Sequence, residues 1–275
     1  MPELPEVETV KRGLEKNIVG KTIERLEVRQ IKLRWPVDKK LLTMRTKGGT
    51  IVKIGRRAKY LCIHLSNDWV VIVHLGMTGN LLIKTQQQAP QKHDHLRFFF
   101  TDGVEMRFRD PRKFGMVEIV EATKLETYAR FAHLGPEPLA DATSAASLYE
   151  KASKLKRPIK NLLMDASFLV GVGNIYASEA LFYARIHPKT PANKLSKKQW
   201  TKLFDEIRAV LQSAIEKGGT TLNDFVDSKG ETGYFQLTLA VYGREGEPCP
   251  NCQAPIERMV QTGRSSFYCP TCQTQ

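Results

Sequence analysis

Four of the five cysteines lie in two closely spaced pairs near the C-terminus, and this pattern constrains the fold more than any other feature. The pairs are Cys249-Pro-Asn-Cys252 and Cys269-Pro-Thr-Cys272, with 16 residues between them. A two-residue gap lets both sulfurs of one turn reach the same ion, and the intervening residues can form a hairpin that returns the second pair. The pattern therefore predicts one structural zinc ion held by these four thiolates, with no open position for a catalytic water.

Two disulfides in a secreted module are the alternative interpretation of these cysteines. The segment MPELPEVET carries three acids and no base, which does not match a secretory or transit signal. Cys62 would be left over, and we expect it to be a buried core thiol in a strand. We therefore favour zinc over disulfides. No apolar run approaches the ~18 residues that a membrane span requires.

The chain is strongly basic. Its 42 Lys and Arg residues against 29 Asp and Glu give a formal net charge of +13. The excess is uneven, since residues 29–59 contain eleven bases and one acid, Asp38. A solvated surface explains any single lysine, but the whole pattern is typical of a protein that binds nucleic acid.

The order of predicted elements indicates a helix followed by an antiparallel β-structure. Apolar residues at helical spacing predict a helix over residues 2–20. Short segments separated by turn residues then favour an antiparallel sandwich or barrel. We expect its strands at 22–29, 50–55, 59–65, 69–75, 80–84, 95–100, 104–109 and 115–120.

The middle third of the chain is predicted to be helical. The clearest helix covers residues 196–217, where Ser196 and Gln199 match a capping box and Gly218 follows as a stop. Its single apolar stripe is interpreted as core. Residues 218–236 have weak periodicity and are expected to form a long loop.

Pro2 directly follows the initiator methionine, which is normally removed before a small residue. Removal would leave a secondary amine at the chain end. An α-amino group titrates near 8, about two units below a lysine side chain, so more of it is neutral and nucleophilic. Because many chains begin Met-Pro, this feature alone does not identify a nucleophile.

Eight motifs follow one another along the chain. They are MPELPEVETV at the start, RRAKYL at 56–61, HLGMTG at 74–79, KHDH at 92–95, FRDPRKFG at 108–115, GVGNIYASE at 171–179, GGTTLNDF at 218–225 and YGREGEPCPNC at 242–252. With these motifs the chain resembles the formamidopyrimidine-DNA glycosylases from Met1 to Cys272. The resemblance implies a bifunctional repair enzyme that removes oxidised purines, chiefly 8-oxoguanine and formamidopyrimidines, from double-stranded DNA and then cuts the abasic strand by β,δ-elimination.

The resemblance also implies an α+β multidomain fold. We expect an N-terminal catalytic β-sandwich with an N-terminal helix at 1–134. A helical helix–two-turn–helix domain is expected at 135–240, and a four-cysteine zinc-finger β-hairpin at 241–275. The linker-like Gly135-Pro-Glu-Pro138 lies at the first of these boundaries.

Four residues correspond to the catalytic groups of the resembled family. Pro2 matches the nucleophile that forms a Schiff base with sugar C1′, and Glu3 matches the general acid that helps to open the sugar ring. Lys59 matches the lysine assigned to proton transfer in β-elimination. Arg264 matches the zinc-hairpin arginine that grips phosphate and is assigned to δ-elimination.

Three further residues correspond to the side chains that fill the gap left by an extruded nucleotide, namely Met77, Arg112 and Phe114. An enzyme that attacks a glycosidic carbon must extrude the nucleotide from the duplex. Met and Phe suit the role of wedges, and Arg can donate to the acceptors of an orphaned cytosine. Without the resemblance, Met77 and Phe114 would be interpreted as core residues.

Other candidate DNA contacts lie on both halves of the chain. His74 and His93 match DNA-contacting histidines. Asn174 matches the phosphate-binding asparagine that follows a Gly-rich turn at a helix N-terminus. Lys160, with Lys156 and Lys154 upstream in the same basic run, is a candidate for an added phosphate contact, and the sequence does not distinguish among the three. Because no βαβ unit surrounds the glycines before Asn174, we do not predict dinucleotide binding.

Two alternative functions stay open at this point. One is an endonuclease VIII-like glycosylase for oxidised pyrimidines, which the motifs PELPEV and DPRKFG disfavour. The other is a non-catalytic zinc-containing DNA-binding protein, which would form no covalent intermediate. We expect a bacterial-type cytoplasmic monomer, associated with the nucleoid through DNA and not with membranes.

Overall fold

The computed structural model describes residues 2–218 and 239–274, which form two compact units. The first unit contains the described residues up to Ala132, together with Lys217 and Gly218. The second contains His133–Glu216 and residues 239–274. Within these ranges, no helix is both long and apolar enough to cross a membrane.

The first unit begins with helix α1 (Leu4–Ile18) and continues as two four-stranded sheets. The strands are β1 (Ile23–Val28), β2 (Ile51–Arg57), β3 (Tyr60–Leu65), β4 (Trp69–His74), β5 (Asn80–Thr85), β6 (Asp94–Phe100), β7 (Val104–Arg109) and β8 (Met116–Glu121). One sheet has the order β1-β6-β7-β5 and the other β2-β3-β4-β8, with antiparallel neighbours throughout. The predicted helix and strands are confirmed, with bounds that differ by two residues at most.

Side chains from both sheets and from α1 form one core. On β6, Leu96, Phe98 and Phe100 enter it, as the two-residue period of a strand requires. Helix α1 contributes Val7, Val10, Leu14 and Ile18, which recur at helical spacing. Each such side chain contributes about 1.5–3 kcal/mol to the free energy of folding by leaving water. The two sheets with their shared core form a β-sandwich, and the N-terminal helix packs into the same core.

Helix α2 (Lys39–Thr46) was not predicted. Only Leu42 and Thr46 of this helix are buried, so it lacks the apolar stripe by which an amphipathic helix is recognised. Asp38 caps it by accepting a hydrogen bond from the Leu41 backbone N–H at 2.9 Å.

The second unit combines helices with a β-hairpin. Its main elements are α3 (Ala145–Ala152), α4 (Ile159–Leu163), α5 (Asn174–Ala184), α6 (Lys197–Glu216), β9 (Glu257–Gln261) and β10 (Arg264–Tyr268). Helix α6 confirms the helix predicted at 196–217. Its capping box is formed, since the Gln199 N–H donates to Ser196 Oγ at 3.2 Å and the Ser196 N–H to Gln199 Oε1 at 2.9 Å.

Residues 249–272, called the zinc hairpin below, share a core with α5. Phe182 of α5 packs in one cluster with Val241 and with Phe267 of β10. Residues 135–216, from the predicted helical domain, thus lie in one compact unit with residues 241–274 of the predicted zinc finger, whereas Lys217 and Gly218 belong to the first unit. The division into three domains stays a prediction. The loop expected at 218–236 lies outside the described residues, apart from Gly218.

Candidate functional site

Lys59 and His74 lie at the same end of the β2-β3-β4-β8 sheet. Lys59 follows Ala58, whose φ of 52° marks the tight turn between β2 and β3. The next residue, Tyr60, pairs with His74 at the end of β4, and their ring centroids are 4.8 Å apart. The Lys59 ammonium is close enough to help lower the His74 pKa.

His74 is held as a neutral imidazole. Its Nδ1 accepts a hydrogen bond from the Gly76 backbone N–H at 3.0 Å. Burial, and to a smaller extent the positive charges of Lys59, Arg34 and Arg130, together lower the His74 pKa to about 4. Since Nδ1 is an acceptor, the proton of the neutral ring lies on Nε2, which is therefore a hydrogen-bond donor.

Pro2 and Glu3 are buried at the start of α1. Glu3 is the N-cap residue, and its backbone N–H donates to Glu6 Oε2 at 2.7 Å. The helix they lead into packs against β2 and β3. The candidate nucleophile and general acid are thus attached directly to a helix that is fixed in the sandwich core.

Met77 and Phe114 are not core residues. Their side chains are 38% and 42% exposed, on loops 75–79 and 110–115. The Arg112 guanidinium carbon lies 4.8 Å from the centroid of the Phe114 ring. The structure brings the three predicted gap-filling residues to two adjacent loops, with their apolar members open to solvent.

The two loops approach each other backbone to backbone at Gly76. A Cβ at this position would lie 2.4 Å from the Phe114 carbonyl carbon, and Gly76 has a φ of 67°. Both features require glycine. Loop 75–79 therefore packs against loop 110–115 without an intervening side chain.

Sequence analysis missed two buried residues that join these loops. Thr78 Oγ1 donates to Asp110 Oδ1 at 2.6 Å and accepts from the Arg112 N–H at 3.2 Å. Asp110 Oδ2 accepts from the Gly115 N–H at 2.7 Å. Both residues lie within quoted motifs, but no local spacing indicated that they would meet. The His93 carbonyl accepts from the Asp110 N–H at 3.1 Å, so His93 lies beside the same loops.

In the second unit, Lys160 is tied to Asn174 and the zinc hairpin. Lys160 is 1% exposed, and its ammonium donates to Asn174 Oδ1 at 2.6 Å, Ser266 Oγ at 2.7 Å and the Ser265 carbonyl at 3.2 Å. Asn174 Nδ2 also donates to the Ser265 carbonyl, at 2.9 Å. Lys160 therefore differs from Lys156, which is exposed.

Arg264 is exposed at the first position of β10. It follows Thr262 and Gly263, whose φ values of 49° and 73° are those of a tight hairpin turn. The Thr262 hydroxyl accepts from Asn161 Nδ2, which attaches the turn to α4. The predicted hairpin-tip arginine is thus at an anchored and accessible turn.

The four predicted zinc ligands converge. The Sγ atoms of Cys249, Cys252, Cys269 and Cys272 all lie within 4.8 Å of one another. The sulfur–sulfur distance is 3.9 Å for Cys249 and Cys272 and 3.4 Å for Cys252 and Cys269. Tetrahedral zinc with Zn–S bonds of about 2.3 Å needs sulfurs about 3.8 Å apart. All five cysteines, which are all described, are free thiols, so the donor set fits zinc and not disulfides.

Comparison with known proteins covers nearly the whole chain. Residues 1–117 match the formamidopyrimidine-DNA glycosylase N-terminal domain, 134–226 the H2TH domain of that enzyme, and 246–275 a zinc finger found in FPG and IleRS. The formamidopyrimidine-DNA glycosylase of Edwardsiella ictaluri is 50% identical over 99% of this chain and 100% of its own length. That of Neisseria meningitidis is 46% identical over the same shares.

Two solved structures show the same architecture. A Lactococcus lactis Fpg in complex with DNA containing an abasic site is 36% identical, with a TM-score of 0.92 over 99% of this chain and 100% of that one. A MutM in complex with DNA containing carbocyclic 8-oxo-G is also 36% identical, with a TM-score of 0.92 over 100% of both chains.

Proposed function

The chain belongs to the formamidopyrimidine-DNA glycosylase family, and from this premise we propose how its own residues carry out the reaction. It is a base-excision repair enzyme, both glycosylase and abasic-site lyase, that acts on oxidised purines in double-stranded DNA and contains one structural zinc ion.

Pro2 acts as the nucleophile. Its neutral amine attacks C1′, the glycosidic bond breaks, and the base leaves with the electron pair and a proton. Glu3 protonates the ring oxygen, so that the sugar opens as the nitrogen forms an iminium with C1′. The pair must hold opposite protonation states, with Pro2 unprotonated and Glu3 protonated when it acts. Supporting this assignment, both residues are buried and Glu3 is held at the helix start.

Elimination follows from the iminium. The positive nitrogen withdraws electrons and acidifies the C2′ protons, so a base can remove one while the 3′ phosphate leaves with the C–O electrons. We assign this proton transfer to the neutral amine of Lys59. Loss of a C4′ proton then expels the 5′ phosphate with the C5′–O electrons, and we propose that Arg264 assists this departure. Water then releases Pro2 by hydrolysis of the iminium.

Side chains of both units bind the DNA backbone. His74 presents a neutral Nε2–H donor, which is suited to a phosphate oxygen without adding charge. His93 lies beside loops 75–79 and 110–115 and contacts the same strand. Asn174, Lys156 and Arg264 supply phosphate contacts from the second unit. Lys160 orients Asn174 and does not itself reach the phosphate, because its ammonium is buried.

Met77, Arg112 and Phe114 occupy the gap in the duplex. The observation that carries the proposal is the exposure of Met77 and Phe114 on two touching loops. Proteins that distort a duplex commonly insert apolar side chains such as Met and Phe between its bases. Arg112 donates to the acceptors of the orphaned base.

Borohydride trapping on a duplex containing 8-oxoguanine tests the chemistry. We expect a covalent complex whose cross-linked peptide begins at Pro2. We also expect Glu3→Gln to bind the duplex normally but to release base at least 100-fold more slowly, within the range of general acid catalysis. A cross-link that maps to a lysine instead of Pro2 would refute the nucleophile assignment. A faster reaction on thymine glycol than on 8-oxoguanine would favour an endonuclease VIII-like activity.

We also propose that the enzyme works in the bacterial cytoplasm, on nucleoid DNA. The support is its bacterial relatives and its net charge of +13. Fluorescent tagging in a bacterial host would test this, with co-localisation on the nucleoid as the expected result.

A further inference from the structure

We propose that Thr78 and Asp110 form a positioning pair that determines how strictly the enzyme discriminates the base opposite the lesion. The pair connects the loop of Met77 to the loop of Arg112 and Phe114. The inference rests on the gap-filling role proposed above for Arg112, and it adds two residues that do not touch DNA themselves.

One hydroxyl group joins the two loops. Thr78 Oγ1 gives its proton to Asp110 Oδ1 at 2.6 Å and accepts the Arg112 N–H at 3.2 Å. Thr78 is the residue directly after Met77. The side chain of the residue after Met77 therefore accepts a hydrogen bond from the backbone of Arg112.

The Asp110 carboxylate hydrogen-bonds within its own loop, residues 110–115. Asp110 Oδ2 accepts a hydrogen bond from the Gly115 N–H at 2.7 Å. This bond joins the two ends of loop 110–115, so Arg112 and Phe114 lie between two residues that are hydrogen-bonded to each other. The backbone of Asp110 extends the connection further. Its carbonyl oxygen lies 2.8 Å from His95 Nε2, and its N–H donates to the His93 carbonyl at 3.1 Å.

Burial makes these hydrogen bonds difficult to replace. Asp110 is fully buried and Thr78 is 8% exposed. Water cannot readily substitute for a lost partner at such a position, so each group left unsatisfied costs free energy. The two loops consequently keep one relative arrangement before DNA is bound.

Fixed loops matter most for Arg112. A guanidinium has donors only, and it selects a base by where those donors point. If the Arg112 backbone shifts, the donors reach acceptors on adenine as well as on cytosine. Loss of the Thr78 hydroxyl should therefore weaken discrimination between opposite bases more than it weakens bond breaking.

Thr78→Val removes the hydroxyl while nearly conserving the side-chain shape, and Thr78→Ser keeps the hydroxyl. The measured quantity is the ratio of kcat/KM for 8-oxoguanine opposite cytosine to that opposite adenine. Thr78→Val removes both hydrogen bonds of the hydroxyl, and the one from the Arg112 N–H holds the arginine backbone. We expect the loss of this restraint to lower the ratio about fivefold, and Thr78→Ser to stay within about twofold of the parent. The melting temperature checks that each variant is folded, and Asp110→Asn provides a second test if Thr78→Val fails to fold.

Arg112→Ala separates this inference from the function on which it rests. If Arg112→Ala lowers the ratio while folded Thr78→Val and Asp110→Asn leave it unchanged, the positioning pair is refuted and the role of Arg112 stands. If Arg112→Ala itself leaves the ratio unchanged, the role proposed for Arg112 is wrong and the inference falls with it. A ratio lowered in Thr78→Val and restored in Thr78→Ser supports the pair, because a purely structural defect would slow both substrates equally.

Discussion

The Lys160 ammonium donates to Asn174 Oδ1 at 2.6 Å, and the same group donates to Ser265 and Ser266 of β10. One buried cation thereby orients the candidate phosphate-binding amide and the strand that begins at Arg264. Each of the three acceptors would lose a charged partner if the ammonium were removed, and hydrogen bonds to charged groups are among the stronger ones.

Lys160→Met should destabilise the protein by about 2–4 kcal/mol, because it leaves buried acceptors without this donor. DNA affinity should fall as Asn174 loses its orientation, but the slope of log affinity against log salt should stay near that of the parent. Urea unfolding and binding titrations at several salt concentrations measure the two quantities.

The exposed Lys156 is the matched control. Lys156→Met should leave the free energy of unfolding within about 0.5 kcal/mol of the parent and should reduce the magnitude of the salt slope by about 1. If Lys160→Met instead reduced the slope and left stability unchanged, Lys160 would be a direct phosphate contact.

His74 should make stability depend on pH. Its folded pKa of about 4 lies below the ordinary value of 6.5, so the unfolded chain takes up a proton first as the pH falls. The stability contributed by the neutral ring is complete above pH ~6.5 and is lost as the pH falls towards 4, by up to about 3 kcal/mol. His74→Gln should show a shallower dependence in urea unfolding across this window. Identical curves for parent and variant would contradict the lowered pKa.

The zinc hairpin should depend on its metal. Cys249→Ser should lower the zinc content, measured by mass spectrometry, from one ion per chain to nearly none, and DNA binding should weaken because the hairpin that carries Arg264 loses its cross-link. Cys62→Ala is the control, since Cys62 lies in β3 of the other unit and should leave the zinc content at one. Undiminished DNA binding by a zinc-free Cys249→Ser protein would show that the hairpin is dispensable.

Met77→Ala should reduce excision of 8-oxoguanine without destabilising the protein. The side chain is 38% exposed, so its truncation should change the free energy of unfolding by about 0.5 kcal/mol or less. We expect kcat/KM to fall about 10-fold or more, since a wedge offsets an unstacking cost of a few kcal/mol. Met44→Ala, at a methionine of α2 that is 54% exposed, should leave both quantities unchanged. Equal activity of the two variants would exclude the wedge role.

Elements with strong local periodicity could be predicted from the sequence. The helical spacing of the apolar residues in α1 and the apolar stripe of α6 follow from burial of one face, and both helices appear where expected. The zinc ligands could also be predicted, because their chemistry depends on spacing within two short turns. Helix α2 could not be predicted, since only two of its residues are buried.

Contacts between distant residues could not be predicted in this way. Lys160 sits in a basic run that is typical of solvated phosphate-binding lysines, yet its partners Ser265 and Ser266 lie more than 100 positions away in sequence. The hydrogen bond from Thr78 to Asp110 likewise depends on how the sandwich brings two loops together. Residue type alone could not predict the exposure of Met77 and Phe114, because apolar residues beside strands are more often buried. The family resemblance was what indicated their gap-filling role.

The contact at Gly76 has a consequence for engineering the enzyme. Because even one methyl group at position 76 would collide with the Phe114 carbonyl carbon, the backbone path of loop 75–79 is matched to the backbone path of loop 110–115. A change of lesion preference introduced by grafting sequence from a relative will therefore succeed only when residues 75–79 and 110–115 are transferred together, as a single cassette.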